Sequence, residues 1–130
     1  MILIGRVIKV IALNLPWPPS TNTYYRSMRS GKLSGRVLIS DKGRQYRNQV
    51  ISQILSMPRT NMLTGKIAVK VYAYPPDKRK RDLDNIFKSL LDSLTHAQVW
   101  RDDSNIDDLH ILRMQTIKGG KIYIEISCIN

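Results

Sequence analysis

Hydrophobic residues recur at every second position in some segments of the chain and at every third or fourth position in others. The alternating or β-branched segments predict strands, because alternation places one set of side chains on each face of a sheet. These segments cover residues 6–15, 66–74, about 109–116 and 122–129. The first segment is apolar almost throughout, so we expect that strand to be buried on much of both faces.

Two segments with helical spacing lie between the predicted strands. Ser40 or Asp41 can cap a helix that ends near Ser56. A second helix is predicted from about Leu83 to Thr95. Apolar residues at helical spacing give each of them one buried face. The buried face of the second helix is formed by Ile86, Phe87, Leu90, Leu91 and Leu94.

Residues 21–39 are polar and basic, which predicts a long loop. The loop begins with TNTYYRSMRSGK, and its mixture of tyrosines and cations suits base stacking and phosphate contact. The alternative is a solvated loop whose tyrosines pack on the core. Near the C-terminus, Gly119 and Gly120 predict a tight turn of the kind that hairpins need.

The predicted order of elements, β-α-β-α-β-β, indicates one α+β domain over residues 1–130, with helices packed on a mixed sheet. Arg6 and Lys9 interrupt the apolar N-terminus, so neither a membrane span nor a secretion signal is predicted. The single cysteine, Cys128, excludes an internal disulfide and suits a reducing cytoplasm. Neither a P-loop nor a zinc pattern is present, and we expect no organic cofactor.

The balance of charge is strongly basic, with 21 Lys and Arg against 10 Asp and Glu and a net charge of +11. Such a charge favours polyanions, chiefly nucleic acid and to a lesser degree an anionic membrane surface. The acids are concentrated, because Asp41 and Glu125 are the only ones outside residues 77–108. Two interpretations remain open for this concentration: a metal site, or residues that cap and solubilise local structure.

The segment KRKRDLDNIFK, residues 78–88, places two aspartates directly after four cations. Carboxylates at i and i+2 of a helix point about 200° apart. Asp82 and Asp84 can therefore share a metal only if Asp82 is extended and Asp84 begins the helix. We interpret Asp92 as part of an i,i+4 ladder with Asp84 and Lys88. Asp102 or Asp103 can supply a third ligand if the loop after the helix returns to its start.

An all-carboxylate oxygen site in a basic protein is typical of Mg²⁺-dependent phosphodiester cleavage. Several segments of the sequence resemble the RusA family of four-way (Holliday) junction resolvases from bacteria and their phages. The resemblance covers almost the whole chain, and RDLDN followed by a lysine and then by DD is its most specific part. The segments are LPWPPSTNTYYR, SDKGRQYRNQV, PDKRKRDLDNIFKSLLDSL, VWRDDSNI and TIKGGKIYIEI.

The resemblance implies a homodimer that binds four-way junction DNA across its two-fold axis and makes paired, symmetric nicks with Mg²⁺. The three essential aspartates of the family fall on Asp82, Asp84 and Asp103, and its required lysine falls on Lys88. Arg81 matches a basic residue that contacts DNA. We expect the remaining DNA contacts to come from the basic segment and the loop: Lys78, Arg79, Lys80, Tyr24, Tyr25, Arg26, Arg29 and Lys32.

Two rival hypotheses remain on sequence alone. The first is a non-catalytic junction-binding protein whose aspartates are helix caps, and the second is a nuclease that acts on flaps, RNA or other branched nucleic acids. The expected location is the cytoplasm of a bacterial or phage-infected cell.

Overall fold

The computed structural model describes residues 10–27, 31, 35–58 and 61–129 of the chain. The elements follow one another as β1 (Val10–Leu15), α1 (Thr21–Tyr24), β2 (Tyr25–Ser27), β3 (Val37–Ile39), α2 (Asp41–Leu55), β4 (Lys66–Tyr74), a 3₁₀ turn (Leu83–Ile86), α3 (Phe87–His96), a second 3₁₀ turn (Asp103–Asn105), β5 (Ile106–Arg113) and β6 (Lys121–Ile129). None of the helices in these ranges has both the length and the apolar character needed to cross a membrane.

The main sheet has the strand order β1-β6-β4-β5. Strand β6 is antiparallel to both of its neighbours, whereas β5 runs parallel to β4. The parallel pair needs a long connection, and α3 supplies it between the end of β4 and the start of β5. The sheet is therefore mixed, and the predicted α+β class is confirmed.

The turn before β6 has the predicted backbone but joins strands that are not neighbours. Gly119 and Gly120 have φ of 82° and 70°, and Gly120 N donates to the Ile117 carbonyl at 2.8 Å. Strand β6 then enters the sheet between β1 and β4, which leaves β5 at the edge beyond β4. Strand β5 also starts at Ile106, earlier than the predicted Leu109.

The core lies between one face of the sheet and helices α2 and α3. Alternate residues of the two central strands are almost fully buried on that face: Ile67, Val69, Val71, Ala73, Ile122, Ile124 and Ile126. Strand β1 alternates exposed and buried residues and pairs only with β6 within the described residues. The prediction that this strand is buried on both faces is therefore wrong, and its predicted residues 6–9 lie outside the described ranges.

The segment predicted as a long loop contains regular structure, namely α1 and the antiparallel pair β2–β3. Ser40 N donates to the Tyr24 carbonyl at 2.8 Å, and Ser40 Oγ accepts from Gly43 N at 3.0 Å. One residue thus ties α1 to the predicted start of α2 and caps that helix. A side chain at Gly43 has no room, since a Cβ there would lie 2.4 Å from the Tyr24 oxygen.

Candidate active site

The basic segment after β4 folds around one carboxylate. Asp77 forms ion pairs with Arg81 at 2.7 Å and with Arg79 at 3.1 Å. Hydrogen bonds from Arg81 and then from the Arg79 backbone lower the pKa of the Asp77 carboxyl. Arg113 Nη2 donates to the Arg81 carbonyl at 2.6 Å and fastens the end of the segment to β5. The exposed cations of this segment are Lys78, Arg79 and Lys80.

Asp82 and Asp84 have the backbone geometry that a shared ligand requires. Asp82 is extended, with φ of −84° and ψ of 134°, and Asp84 lies inside the 3₁₀ turn that leads into α3. Both residues are exposed. Asp82 precedes the turn without making a side-chain cap, so the capping alternative does not account for it. Within the described residues, neither carboxylate takes part in a hydrogen bond or an ion pair.

The Pro-rich segment after β1 packs against this turn. Thr21 Oγ1 donates to the Asn85 carbonyl at 3.1 Å, and Ser89 Oγ donates to the Pro19 carbonyl at 2.7 Å. Together the two segments enclose an open groove of about 520 Å³. Its wall includes Trp17, Pro19, Lys80, Arg81, Asp82 and Asn85. Asp82 therefore lines a concave surface bordered by cations.

Asp92 is engaged in a way the sequence did not predict. Its Oδ2 accepts from Arg47 Nη2 at 2.9 Å and from the Tyr24 hydroxyl. The predicted ladder of Asp92 with Lys88 and Asp84 is therefore wrong, because the carboxylate turns inward toward α1 and α2. Lys88 is exposed on the first turn of α3, and no ion pair with it is found among the described residues.

Burial and hydrogen bonding have opposite effects on the pKa of Asp92. Burial raises the pKa of Asp92, but the hydrogen bonds from Tyr24 and Arg47 outweigh it, and the pKa is lowered. Burial, with the hydrogen bond to Asp92, raises the pKa of Tyr24 to about 12. Arg47 Nε is buried and has no hydrogen-bond partner among the residues that the structure describes. Asp92 is thus an ionised structural residue that joins three helices.

Asp103 is held at the far end of α3. The Thr95 hydroxyl donates to Asp103 Oδ1, and the fully buried Trp100 donates its Nε1 proton to Thr95 Oγ1 at 2.7 Å. Asp102 has a local role, because its backbone N donates to Asn105 Oδ1 at 3.0 Å. The neighbouring aspartates are therefore distinguished by structure: Asp102 shapes the turn, and Asp103 faces α3.

The three predicted ligands do not meet within one chain. Helix α3 has 10 residues, so at 1.5 Å per residue it is roughly 15 Å long. The turn that contains Asp84 precedes its start, whereas Thr95 holds Asp103 near its end. In the described part of the chain, no group of three or more His, Cys, Asp or Glu side chains can hold a metal ion. The prediction that Asp103 returns to Asp82 and Asp84 is therefore wrong for a single chain.

A model of the family described as endodeoxyribonuclease RusA matches residues 16–127. The chain belongs to the RusA family. It is 44% identical over 114 residues to the crossover junction endodeoxyribonuclease of Enterobacteria phage HK97, covering 87% of this chain and 90% of that protein. It is 36% identical over 116 residues to the corresponding protein of Escherichia coli K12, covering 89% and 92%. The match confirms the predicted family.

Some residues predicted to contact DNA in this RusA-family chain are exposed, and others are buried. Tyr24 is fully buried and hydrogen-bonded to Asp92, so the prediction that it contacts DNA is wrong. Tyr25 is half-buried, and burial raises the pKa of its hydroxyl. Arg26 is exposed. Arg29 and Lys32 lie outside the described residues.

Four residues that position the site were missed by the sequence interpretation: Arg47, Asp92, Thr95 and Trp100. Arg47 lies among other cations on α2, so its burial could not be predicted from the sequence. Trp100 carried a usable signal, since a buried indole N–H needs a polar partner nearby. Thr95 and Asp103 are the partners within reach.

Proposed function

We propose that this chain is a structure-selective endodeoxyribonuclease that resolves four-way DNA junctions by paired, symmetric nicks in the presence of Mg²⁺. It acts in recombination and repair, in the cytoplasm of a bacterial or phage-infected cell. One observation carries the proposal most directly. In a chain of the RusA family, Asp82 and Asp84 are exposed, unpaired among the described residues, and flanked by exposed cations.

The available donors fit a hard divalent cation. Asp82 and Asp84 offer carboxylate oxygens, which Mg²⁺ prefers, and the nearby ion pairs are formed by Asp77 instead. Bound Mg²⁺ lowers the pKa of a coordinated water and offsets charge on the scissile phosphate. Two ligands at one end of α3 do not complete a metal site. The third proposed ligand, Asp103, therefore has to come from another copy of the chain.

The charged side chains around the two aspartates bind and orient the DNA. Lys88 is exposed one helical turn after Asp84, where its ammonium can neutralise charge on the phosphate or on the leaving oxygen. The exposed Lys78, Arg79 and Lys80 contact the phosphate backbone. Arg81 is tied to Asp77 and acts chiefly by holding this segment in place, with its remaining exposed surface turned to the DNA.

A homodimer accounts for both the substrate and the separated carboxylates. A four-way junction has near two-fold symmetry, and a symmetric dimer presents two equivalent sites to it. A second copy can also bring its Asp103 to Asp82 and Asp84, since one chain holds these residues at opposite ends of α3.

The proposal is tested with Asp82→Asn on labelled synthetic junctions, flaps and linear duplexes, in Mg²⁺ and in EDTA. We expect the variant to retain junction binding and to lose cleavage. Asp41→Asn is the matched control, because Asp41 is an exposed acid on α2 that pairs with Arg44 and does not line the groove beside Asp82. Metal-dependent, paired nicks should appear in the wild type and the control alone.

Other outcomes select the rival functions. Wild-type protein that shifts junctions without nicking them is a non-catalytic binding protein. Wild-type protein that cuts flaps and spares junctions is a nuclease for another branched substrate. Junction cleavage by Asp82→Asn at the wild-type rate would show that the metal site is wrongly assigned.

A further inference from the structure

Strand β5 differs from the other long strands of the sheet in exposing every side chain at least in part. The burial of β4 and β6 alternates, but none of the eight residues of β5 is buried. Leu109 and Leu112 are exposed by 39% and 44%. Within the described residues β5 pairs only with β4, so its outer edge presents unpaired backbone groups. Such an edge is a template for another strand.

We infer that this edge pairs with β5 of a second copy, antiparallel and about a two-fold axis perpendicular to the sheet. The inference rests on the dimer in the proposed function and specifies its interface. Strand addition of this kind gains affinity from backbone hydrogen bonds and specificity from the side chains on each face.

The symmetry restricts the register. A perpendicular two-fold axis keeps each face of the sheet on the same side, so paired residues must share a face. Leu109, Ile111 and Arg113 pair with Val69, Val71 and Ala73 of β4, which face the helices. His110 and Leu112 occupy the opposite face.

One register satisfies both the apolar residues and the charges. With His110 on the axis, Leu109 of each copy lies opposite Ile111 of the other. Asp107, where the register of β5 on β4 shifts, then lies at the same end of the pair as Arg113 of the second copy, and this occurs once at each end. Directly opposed aliphatic side chains stabilise antiparallel strands, and opposite charges brought to the same end of the pair attract each other.

The charge order selects a second copy as the occupant. Asp107 and Asp108 repel phosphate, so the edge does not suit DNA. A partner strand must instead bring a cation to the acidic start of β5 and an acid to its Arg113 end, and an antiparallel β5 does both. The other edge strand, β1, reads VIALNL and has no charge that would set a register.

The pairing also has a consequence for the site. Arg113 at the end of β5 contacts the Arg81 carbonyl, next to Asp82, whereas Asp103 immediately precedes the start of β5. Antiparallel pairing brings the start of one β5 to the end of the other. Asp103 of each copy therefore lies at the same end of the interface as Asp82 of its partner.

The first test is Leu109→Lys, with Val10→Lys as the matched control on the opposite edge of the sheet. Val10 is exposed by 57%, so both lysines reach solvent in the monomer. We expect sedimentation without DNA to give a dimer for the wild type and Val10→Lys. Leu109→Lys should raise the dissociation constant of the dimer by roughly tenfold or more. A dimer unaffected by Leu109→Lys, or a monomeric wild type, would overturn the inference.

The second test fixes the register with single cysteines. Residues facing each other across an antiparallel pair have Cα atoms about 4.5–5.5 Å apart, within disulfide range. His110→Cys should therefore form a covalent dimer under mild oxidation. Leu112→Cys, on the same face but off the axis, should not, and neither should the wild type with its half-buried Cys128.

These readouts are independent of cleavage. If Leu109→Lys dissociates the dimer but the wild type cuts no junction, the interface is right and the proposed function is wrong. If Leu109→Lys remains dimeric and junctions are cut, the function holds and this interface is wrong. Cross-linking of Leu112→Cys in preference to His110→Cys would contradict the register.

Discussion

The aspartates at the two ends of helix α3 differ in exposure and in hydrogen bonding. At its start, Asp82 and Asp84 are exposed, and no hydrogen bond to their carboxylates is found among the described residues. Along its length and at its end, Asp92 and Asp103 are fastened by Arg47, Tyr24 and Thr95. A carboxylate with local partners stabilises the fold, whereas one left in solvent among cations is available to a ligand. Charge content alone does not separate these classes.

The largest effect on activity should come from removing an exposed carboxylate at the start of α3. Asp84→Asn removes a proposed metal ligand and should lower junction cleavage by about 10²–10³-fold. Because the Asp84 side chain is exposed, the free energy of unfolding should stay within about 0.5 kcal/mol of wild type. Single-turnover cleavage and urea denaturation measure the two quantities. A strongly destabilised Asp84→Asn would place this residue with the fastened acids instead.

Asp92→Asn should reverse that pattern. It leaves Arg47 inside the protein without its charged partner, and removing one member of a buried pair costs about 3–5 kcal/mol. The side chains of Arg47 and Asp92 are 22% and 23% exposed, so we expect roughly 2–3 kcal/mol after allowing for solvent screening. Urea denaturation checks this value, and Asp41→Asn on the exposed pair with Arg44 is the control, expected within about 0.5 kcal/mol.

Acid should erase the difference between wild type and Asp92→Asn. The pKa of Asp92 is lowered in the folded protein, while an unfolded aspartate titrates near pH 3.9. Its contribution is therefore fully present above about pH 4–5 and is lost as pH falls through the folded pKa. Denaturation curves of both proteins from pH 7 to pH 3 test this. A gap that widens in acid would mean that the pKa is raised instead.

Much of the fold could be predicted because local periodicity and tertiary burial agree. Strand β4, helix α2 with its Ser40 cap, and the extended Asp82 all follow from spacing and capping preferences. The strand order did not, since nothing near Gly119 indicates that β6 inserts between β1 and β4. Tyr24 and Asp92 were misread for one reason: both are polar, and their burial depends on partners distant in sequence. The roles of Asp82, Asp84 and Lys88 remain predictions.

The smallest effect concerns the hydroxyl that holds Asp103. Thr95→Val removes the donor to Asp103 and the acceptor for Trp100 Nε1, and a lost hydrogen bond of this kind costs about 1–2 kcal/mol. Loss of a group that orients a metal ligand lowers activity about 10-fold or more. Thr95→Ser keeps the hydroxyl and should restore cleavage. If Thr95→Val and Thr95→Ser cleave junctions equally at saturating Mg²⁺, Asp103 needs no orientation by α3, and both ends of the helix would have to be regarded as equally free.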